Sequence, residues 1–239
     1  MSGHSKWATI HRKKDLLDQA RGKMFQKIAK EIYVAARGTD GDPSTNASLR
    51  MVLEKAKGAN MPKDNIQKAI DKATKSAGTE EFETIRYEGY GPSGVAVMVD
   101  CLTDNRNRTA SLVRSTFTKR GGNLGTDGSV SYMFKRRGII VTSKELSEDE
   151  MMMLSLDAGA EDFLVHDDEY EIYTKTEDLL KVKENLENKG IKNFLKSEVT
   201  FTPDNKMQVD EEAMEKVYGL VDELEDLDDV QDVFHNLDD

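Results

Sequence analysis

The chain is poor in cysteine, and the only one, Cys101, cannot form a disulfide within the molecule. A single thiol excludes a disulfide framework and is typical of a reducing compartment. Long apolar runs are missing too, since no stretch approaches the roughly 18 apolar residues that a membrane span needs. The opening sequence MSGHSKWATIHRKK also lacks the apolar centre of a signal peptide. These absences predict a cytoplasmic protein that has no membrane partner.

Signatures of catalysis and of metal binding are also missing. The histidines show no HExxH or HxxxH spacing, and one cysteine cannot make a CxxC pair, so no metal site is predicted. The glycine-rich run GGNLGTDGS (121–129) does not match a phosphate-binding P-loop and is interpreted as turns. No nucleophile elbow occurs, and carboxylates are too abundant for any pair to stand out. We therefore expect a protein that is not an enzyme, without cofactor or small-molecule substrate.

What the chain does have is an uneven distribution of charge. The whole sequence has a net charge of −11. Residues 1–75 contain 16 Lys and Arg against 8 Asp and Glu, which leaves +8 there and −19 in the remainder. The local field, and not the average over the chain, decides whether a polyanion is attracted. The first third of the chain is therefore predicted to contact phosphate.

Hydrophobic periodicity divides the chain into three parts of an α+β protein. Residues 1–78 are predicted to be a basic arm (1–22) and a bundle of three helices, at about 20–37, at about 46–57 and from Pro62 onward, with the bundle ending near Gly78. Residues 79–134 have a β-β-α-β pattern, with a helix at 106–119 and a last strand at 129–134. Residues 135–203 have the ferredoxin-like order β-α-β-β-α-β. A terminal helix capped by Asp210 and a strand at 229–236 would complete the middle domain. The predicted middle domain is thus 79–134 plus 204–239, with 135–203 inserted.

Two helix faces and the arm carry the cations that are predicted to contact phosphate. On each helix the lysines cluster opposite an apolar stripe; they are Lys23, Lys27, Lys30, Lys68, Lys72 and Lys75. The alternative is a solvated charged face, which most charge runs are. We favour polyanion binding because these faces show no interleaved carboxylates that would form i,i+4 pairs. The arm adds further cations at the same end of the molecule, namely Lys6, Arg12, Lys13 and Lys14.

The polar run TDNRNRT (103–109) lies at a predicted turn from strand to helix. Backbone N–H groups and the helix dipole favour anions at such a turn, and Arg106 and Arg108 would strengthen that preference. The alternative is local capping by Asp104 or Asn105, with both arginines solvated. Both interpretations are compatible with the sequence.

The C-terminal segment 204–239 is strongly acidic, with 14 Asp and Glu against two lysines. One interpretation is that it provides solubility and a solvated helix face. The other is that it covers the basic domain when nucleic acid is absent. That second interpretation predicts tighter nucleic-acid binding after deletion of residues 225–239.

Several sequence blocks carry a resemblance to a known family. They are SGHSKWATIHRKK, NMPKDNIQKAI (60–70), YEGYGPSGVAV (87–97), NRNRT (105–109) and GGNLGTDGSVSYMF (121–134). Over essentially its whole length the chain resembles the YebC/PmpR family, whose relatives include the mitochondrial translational activator of cytochrome oxidase. The resemblance implies a helical first domain and two α+β domains, one of them ferredoxin-like and inserted in the other. It offers no catalytic residues.

The resemblance also implies two functions. Family members are described as cytoplasmic DNA-binding transcriptional regulators, and members are implicated in translation, where they bind RNA or the ribosome and relieve stalling at proline-rich stretches. No helix stands out with base-reading side chains, so any recognition of DNA sequence is expected to be weak. We predict a DNA-binding regulator; the alternative is a translation factor that binds ribosomal or messenger RNA, or the ribosome.

Overall fold

The computed structural model describes the backbone of residues 14–75 and 81–238, with side chains from residue 21 onward. Within these residues the chain forms seven α-helices and two four-stranded antiparallel sheets, which confirms the α+β class. The helices are α1 (Lys14–Ala36), α2 (Ala47–Gly58), α3 (Lys63–Lys75), α4 (Arg106–Lys119), α5 (Glu148–Ala158), α6 (Leu179–Asn188) and α7 (Glu211–Glu225). The strands are β1 (Glu83–Tyr90), β2 (Ala96–Thr103), β3 (Asn123–Leu124), β4 (Phe134–Ser143), β5 (Asp162–Val165), β6 (Glu169–Thr174), β7 (Phe194–Pro203) and β8 (Val230–His235). None of the helices in this described part is long and apolar enough to cross a membrane.

The first three helices pack around a small apolar core that includes Ile28, Ile32 and Leu49. Helix α2 begins where the side chain of Asn46 accepts a hydrogen bond from the backbone N–H of Leu49. Helix α1 begins at residue 14 and not at about residue 20, so the prediction of an arm without regular structure is wrong for residues 14–19. The helix extends there because residues 14–21 are mostly good helix formers. The arm cations Lys6, Arg12 and Lys13, and the side chain of Lys14, lie outside the described residues.

The first sheet has the strand order β3-β1-β2-β8, so the last strand of the chain lies beside β2. Helices α4 and α7 cover one face, where Val97, Val99, Phe117 and Leu224 meet in the core. Helix α7 is capped as predicted, because the Asp210 carboxylate accepts a hydrogen bond from the N–H of the third helical residue. The end of the chain therefore completes a sheet that begins with β1. Next to β8, the side chain of Asn236 accepts a hydrogen bond from the backbone N–H of Ala96, which lies 140 residues earlier in the sequence.

The second sheet has the order β5-β6-β4-β7, and its chain order is β4-α5-β5-β6-α6-β7. Helices α5 and α6 pack on one face, where Ile140, Met151, Ile172 and Leu186 are buried. The helical part reaches this sheet through α2, which lies along β7 and pairs Glu54 with Lys183 of α6. The three-domain division at residues 78, 134 and 203 stays a prediction.

The strand predicted at 129–134 is wrong, and the reason is a single buried side chain. Residues Ser131–Met133 form a 3-10 turn, and the following strand, β4, begins only at Phe134. The Glu88 carboxylate accepts backbone hydrogen bonds from Gly128, Val130 and Ser131 at 2.7–2.9 Å. Because these N–H groups point at one carboxylate, they cannot take part in a strand ladder.

A small aromatic cluster joins the two sheets. Phe201 of β7 packs edge-on against Phe234 of β8, with 5.3 Å between ring centroids. The guanidinium of Arg86 stacks 4.2 Å above the Phe201 ring and binds both carboxylate oxygens of Asp100 at 2.7 and 2.8 Å. A paired and stacked arginine of this kind fixes the angle between neighbouring elements more firmly than a lysine would.

Candidate nucleic-acid interface

The three lysines of α1 contact the end of helix α7 and the turn that follows it. Lys23 Nζ lies 3.3 Å from Asp226 Oδ1, and Lys27 Nζ donates to the backbone carbonyl of Glu225 at 2.5 Å. Lys30 Nζ donates to the backbone carbonyl of Asp228 at 2.9 Å and lies 3.2 Å from Asp229 Oδ1. The helical wheel placed these lysines opposite the apolar stripe, and this face was predicted to contact phosphate. Instead, the face meets residues 225–229, which we call the acidic turn.

Two physical causes bring these groups together. The last carbonyls of a helix have no partner within the helix, and they form the negative end of its dipole, which favours cations. The acidic turn adds carboxylates at the same place, including those of Asp226 and Asp229. Burial lowers the pKa of Lys27, although the nearby charges of Glu225 and Asp232 oppose that effect.

Asp229 is the buried centre of this contact, with only 7% of its surface exposed. Its carboxylate accepts from Arg108 Nη2 at 2.7 Å, from the Thr109 hydroxyl at 2.9 Å and from the Thr103 hydroxyl at 3.3 Å. Burial alone would raise the pKa of Asp229, but these hydrogen bonds and the charge of Lys30 hold it below its ordinary value. The carboxylate is thus charged, buried and fully engaged.

The start of α4 shows both features that the sequence left open. Asn105 is the cap, since its side chain accepts from the N–H of Arg108 at 3.1 Å, which confirms local capping. Arg108 is not simply solvated, because it pairs with Asp104 at 2.8 Å as well as with Asp229. Arg106 is exposed and has no ion-pair partner among the residues that the structure describes. The two arginines therefore differ: the half-exposed Arg108 is paired with two carboxylates, and Arg106 faces solvent without such a pair.

The lysines of α3 lie on its exposed side. Lys68 has no ion-pair partner in the described part of the chain, and Lys72 Nζ lies 5.6 Å from the centre of the Tyr33 ring. Lys75 pairs with Asp71 at 2.9 Å, at i,i+4 spacing. The expectation that this face carries no interleaved carboxylate is therefore wrong for Lys75, because Asp71 lies one turn before it on the same face.

A cleft of about 680 Å³ brings members of the three predicted groups together. It is lined by Lys30 of α1, Lys72 of α3 and Arg108 of α4, and also by residues 226–229 of the acidic turn. The arm lies outside the described residues, and Lys68, Lys75 and Arg106 do not line the cleft. Cations from separate elements thus converge on one cleft, and the Asp229 carboxylate in the same lining pairs with Lys30 and Arg108.

Sequence reasoning missed the exposed face of α4. Asn107, Ser111 and Arg114 recur at helical spacing and are all exposed, and Arg114 has no ion-pair partner among the described residues. Arginine and asparagine side chains are those that hydrogen-bond to base edges most readily. The helical-wheel arithmetic used for the lysines would have found this face. The sequence also did not predict Asp226 and Asp229 as ion-pair partners of the α1 lysines, because no local pattern connects these residues to α1.

The fold and the site together define a three-part α+β protein in which a basic helical segment is held against an acidic turn. Comparison with known proteins shows which family the chain belongs to. A family model described as the TACO1/YebC protein N-terminal domain matches residues 5–76, and one described as the second and third domain matches residues 82–237. The chain belongs to the TACO1/YebC family.

Relatives and a solved structure match over nearly the whole length. A probable transcriptional regulatory protein of Geobacillus thermodenitrificans is 53% identical over 241 residues, covering 100% of this chain and 97% of its own. The probable transcriptional regulatory protein YrbC of Bacillus subtilis is 49% identical, covering 99% of each chain. The crystal structure of a conserved hypothetical protein, Aq1575, from Aquifex aeolicus is similar with a TM-score of 0.84 and 48% identity, covering 98% of this chain and 97% of its own. These names indicate a regulator at the level of the family.

Proposed function

We propose that the protein is a DNA-binding transcriptional regulator that holds the phosphate backbone with cations of the helical part and of α4. The observation that supports this most directly is the convergence of Lys30, Lys72 and Arg108 on one cleft, although they belong to three separate elements. Their side chains suit phosphate, because ammonium and guanidinium groups donate hydrogen bonds and carry charge. The printed names of the relatives agree with a role in transcription.

The proposed interface makes two kinds of contact with DNA. Lys68 and Lys72 of α3 supply affinity and register through phosphates, without reading sequence. Arg106, Asn107 and Arg114 on the exposed face of α4 can reach base edges or further phosphates. Because base-reading groups are few, we expect a small ratio between specific and nonspecific affinity.

The salt dependence of binding tests this proposal. Replacing Lys68, Lys72 and Arg106 by alanine should reduce the slope of log affinity against log salt by up to about 2.7, at about 0.9 for each lost phosphate contact with duplex DNA. A matched control removes three exposed lysines of the second-sheet region, namely Lys175, Lys181 and Lys192. The control variant has the same net charge and should keep the slope of the wild type. Equal slopes for both variants would place the DNA surface elsewhere.

A second candidate is a translation factor that binds RNA or the ribosome. The observation that favours it is the small number of base-reading side chains around a cleft whose cations bind the phosphates of DNA and RNA alike. Such a factor needs a basic docking surface but no base-reading helix. Crosslinking in cells, followed by sequencing of both DNA and RNA, separates the two candidates. Recovery of discrete promoter sites favours the regulator, and recovery dominated by ribosomal RNA favours the translation factor.

A further inference from the structure

We propose that the acidic turn is an intramolecular competitor for the nucleic-acid backbone, and that α1 exchanges it for phosphate when nucleic acid binds. This inference rests on the proposed function and adds its regulation. The turn touches three cations that were predicted to bind phosphate, with Asp226 Oδ1 on Lys23, Asp229 Oδ1 on Lys30 and Asp229 Oδ2 on Arg108. All three contacts span 2.7–3.3 Å, the range in which the same groups would hold a phosphate oxygen.

The turn has an outer contact that can open and an inner contact that stays. The side chains of Asp226 and Lys23 are 64% and 46% exposed, so this ion pair is well solvated and easily broken. The side chain of Asp229 is only 9% exposed and is held by hydrogen bonds from Arg108 and Thr109, so it anchors the end of the turn. Opening therefore begins at Asp226 and leaves the core of the first sheet intact.

Opening of the outer contact would release the ammonium group of Lys23. Lys23 contacts both the carboxylate and the backbone carbonyl of Asp226, and Lys27 contacts the adjacent carbonyl of Glu225. A duplex or a single strand offers the same α1 face a row of phosphates, each with a full negative charge. A ligand that carries no array of negative charges would gain nothing from this exchange. The acidic turn therefore lowers the affinity for every polyanion, and ligands with few negative charges do not displace it from α1.

A pair of matched variants tests the exchange, with a short mixed-sequence DNA duplex and a short single-stranded RNA as probes. Asp226→Asn removes the outer carboxylate with little change of shape and should tighten binding by about two- to fivefold, the range of one surface ion pair. Glu215→Gln removes the same charge from an exposed site on α7. That site lies roughly 16 Å away along the helix axis, beyond a Debye length of about 8 Å at physiological salt. The affinity of the Glu215→Gln variant should stay within experimental error of the wild type.

A double-mutant cycle then assigns the gain to the Lys23–Asp226 pair. In a Lys23→Ala background the released cation is absent, so Asp226→Asn should no longer tighten binding. A gain of the same size in both backgrounds would mean that Asp226 acts through the general field, and it would overturn the exchange. Equal affinities of Asp226→Asn, Glu215→Gln and the wild type would overturn it as well.

Amide hydrogen exchange gives a test on the unmodified protein. The N–H group of Leu227, at the outer end of the acidic turn, donates a hydrogen bond to the carbonyl of Leu224. Addition of the DNA or RNA probe should speed the exchange of this N–H, because the outer end of the turn opens. Slower exchange would show that nucleic acid binds while the turn stays closed, which contradicts the proposal. If the wild type binds neither probe at low salt, the proposed function itself fails; if it binds both probes but the variants behave alike, only the exchange fails.

Discussion

At the residue scale, the carboxylate of Glu88 shows how one side chain determines the course of a loop. It is 6% exposed and accepts hydrogen bonds from the backbone N–H groups of Gly128, Val130 and Ser131. Burial alone would raise the pKa of Glu88, but the three backbone donors favour the charged form and hold the pKa below its ordinary value. The carboxylate thus stabilises the turn that separates β3 from β4.

Glu88→Gln should therefore destabilise the protein by about 1–3 kcal/mol at neutral pH, because the amide group faces a donor and the charge is lost. Since the folded pKa is depressed, the contribution of Glu88 is fully present above its unfolded pKa of about 4.3 and is lost as the pH falls through the folded pKa. The difference in free energy of unfolding between wild type and variant should shrink below about pH 4. Urea unfolding at neutral and acid pH measures it. Glu215→Gln is the control, and a pH-independent difference would contradict the prediction.

Individual residues also show what the sequence can and cannot predict about the site. Asn105 and Asp210 were recognisable as caps because each accepts from a backbone N–H only three residues away. Lys23 was predicted to contact phosphate, and its contact with Asp226 was not predicted because that residue is 203 positions away in the sequence. Periodicity tells which face of a helix is polar. It carries no information about which distant element covers that face.

At the scale of elements, a three-charge cluster holds α1, α2 and β8 together. Lys55 of α2 pairs with Glu31 of α1 at 2.9 Å and with Asp232 of β8 at 3.2 Å, and all three side chains are less than a quarter exposed. Burial alone would lower the pKa of Lys55, but the charges of Asp232 and Glu31 raise it above its ordinary value. Burial also raises the pKa of Glu31. The lysine thus compensates two carboxylates that the packing removes from water.

Lys55→Ala should cost about 2–4 kcal/mol of unfolding free energy, because it leaves two partly buried carboxylates without their cation. Lys57→Ala is a matched control on the same helix. The Lys57 side chain is 74% exposed, and its Nζ lies 3.9 Å from Glu54 Oε1, at the outer limit of an ion pair. The control should change stability by less than about 0.5 kcal/mol. Chemical denaturation of both variants measures the difference. Equal losses would mean that the cluster contributes nothing beyond a surface ion pair.

The elements themselves were predictable where local pattern and tertiary packing agree. Helix α4 runs over residues 106–119 as predicted, because its apolar residues and its cap give the same limits. The strand predicted at 129–134 fails because Glu88 takes the N–H groups that a strand would use. The start of α1 was placed too late because residues 14–19 show helix propensity without a clear apolar stripe. Where a contact with another element determines the backbone structure of a segment, the local sequence pattern does not predict it.

At the scale of the whole molecule, the two oppositely charged parts of the sequence meet at two contacts. The basic helical part carries a net +8 and the remainder −19. The structure brings these charges together where α1 lies against the acidic turn and where α2 reaches β8. Charge segregation along the sequence therefore does two things at once. It holds the helical part in place, and it masks part of the positive surface that the sequence leads one to expect.

The fold changes what deletion of residues 225–239 would do. From the sequence alone, this deletion was the test of the interpretation that the segment masks the basic domain. The segment contains β8, however, whose Val230 and Val233 are buried in the core of the first sheet with Leu237. Burial of three such side chains contributes about 5–8 kcal/mol, which is comparable to the whole stability of a domain. We therefore expect the truncated chain to lose its cooperative thermal transition and its near-ultraviolet circular dichroism. Full-length Asp226→Asn should keep both, since it alters only the exposed end of the acidic turn. A truncated chain that unfolds cooperatively at the midpoint of the wild type would show that β8 is dispensable to the first sheet.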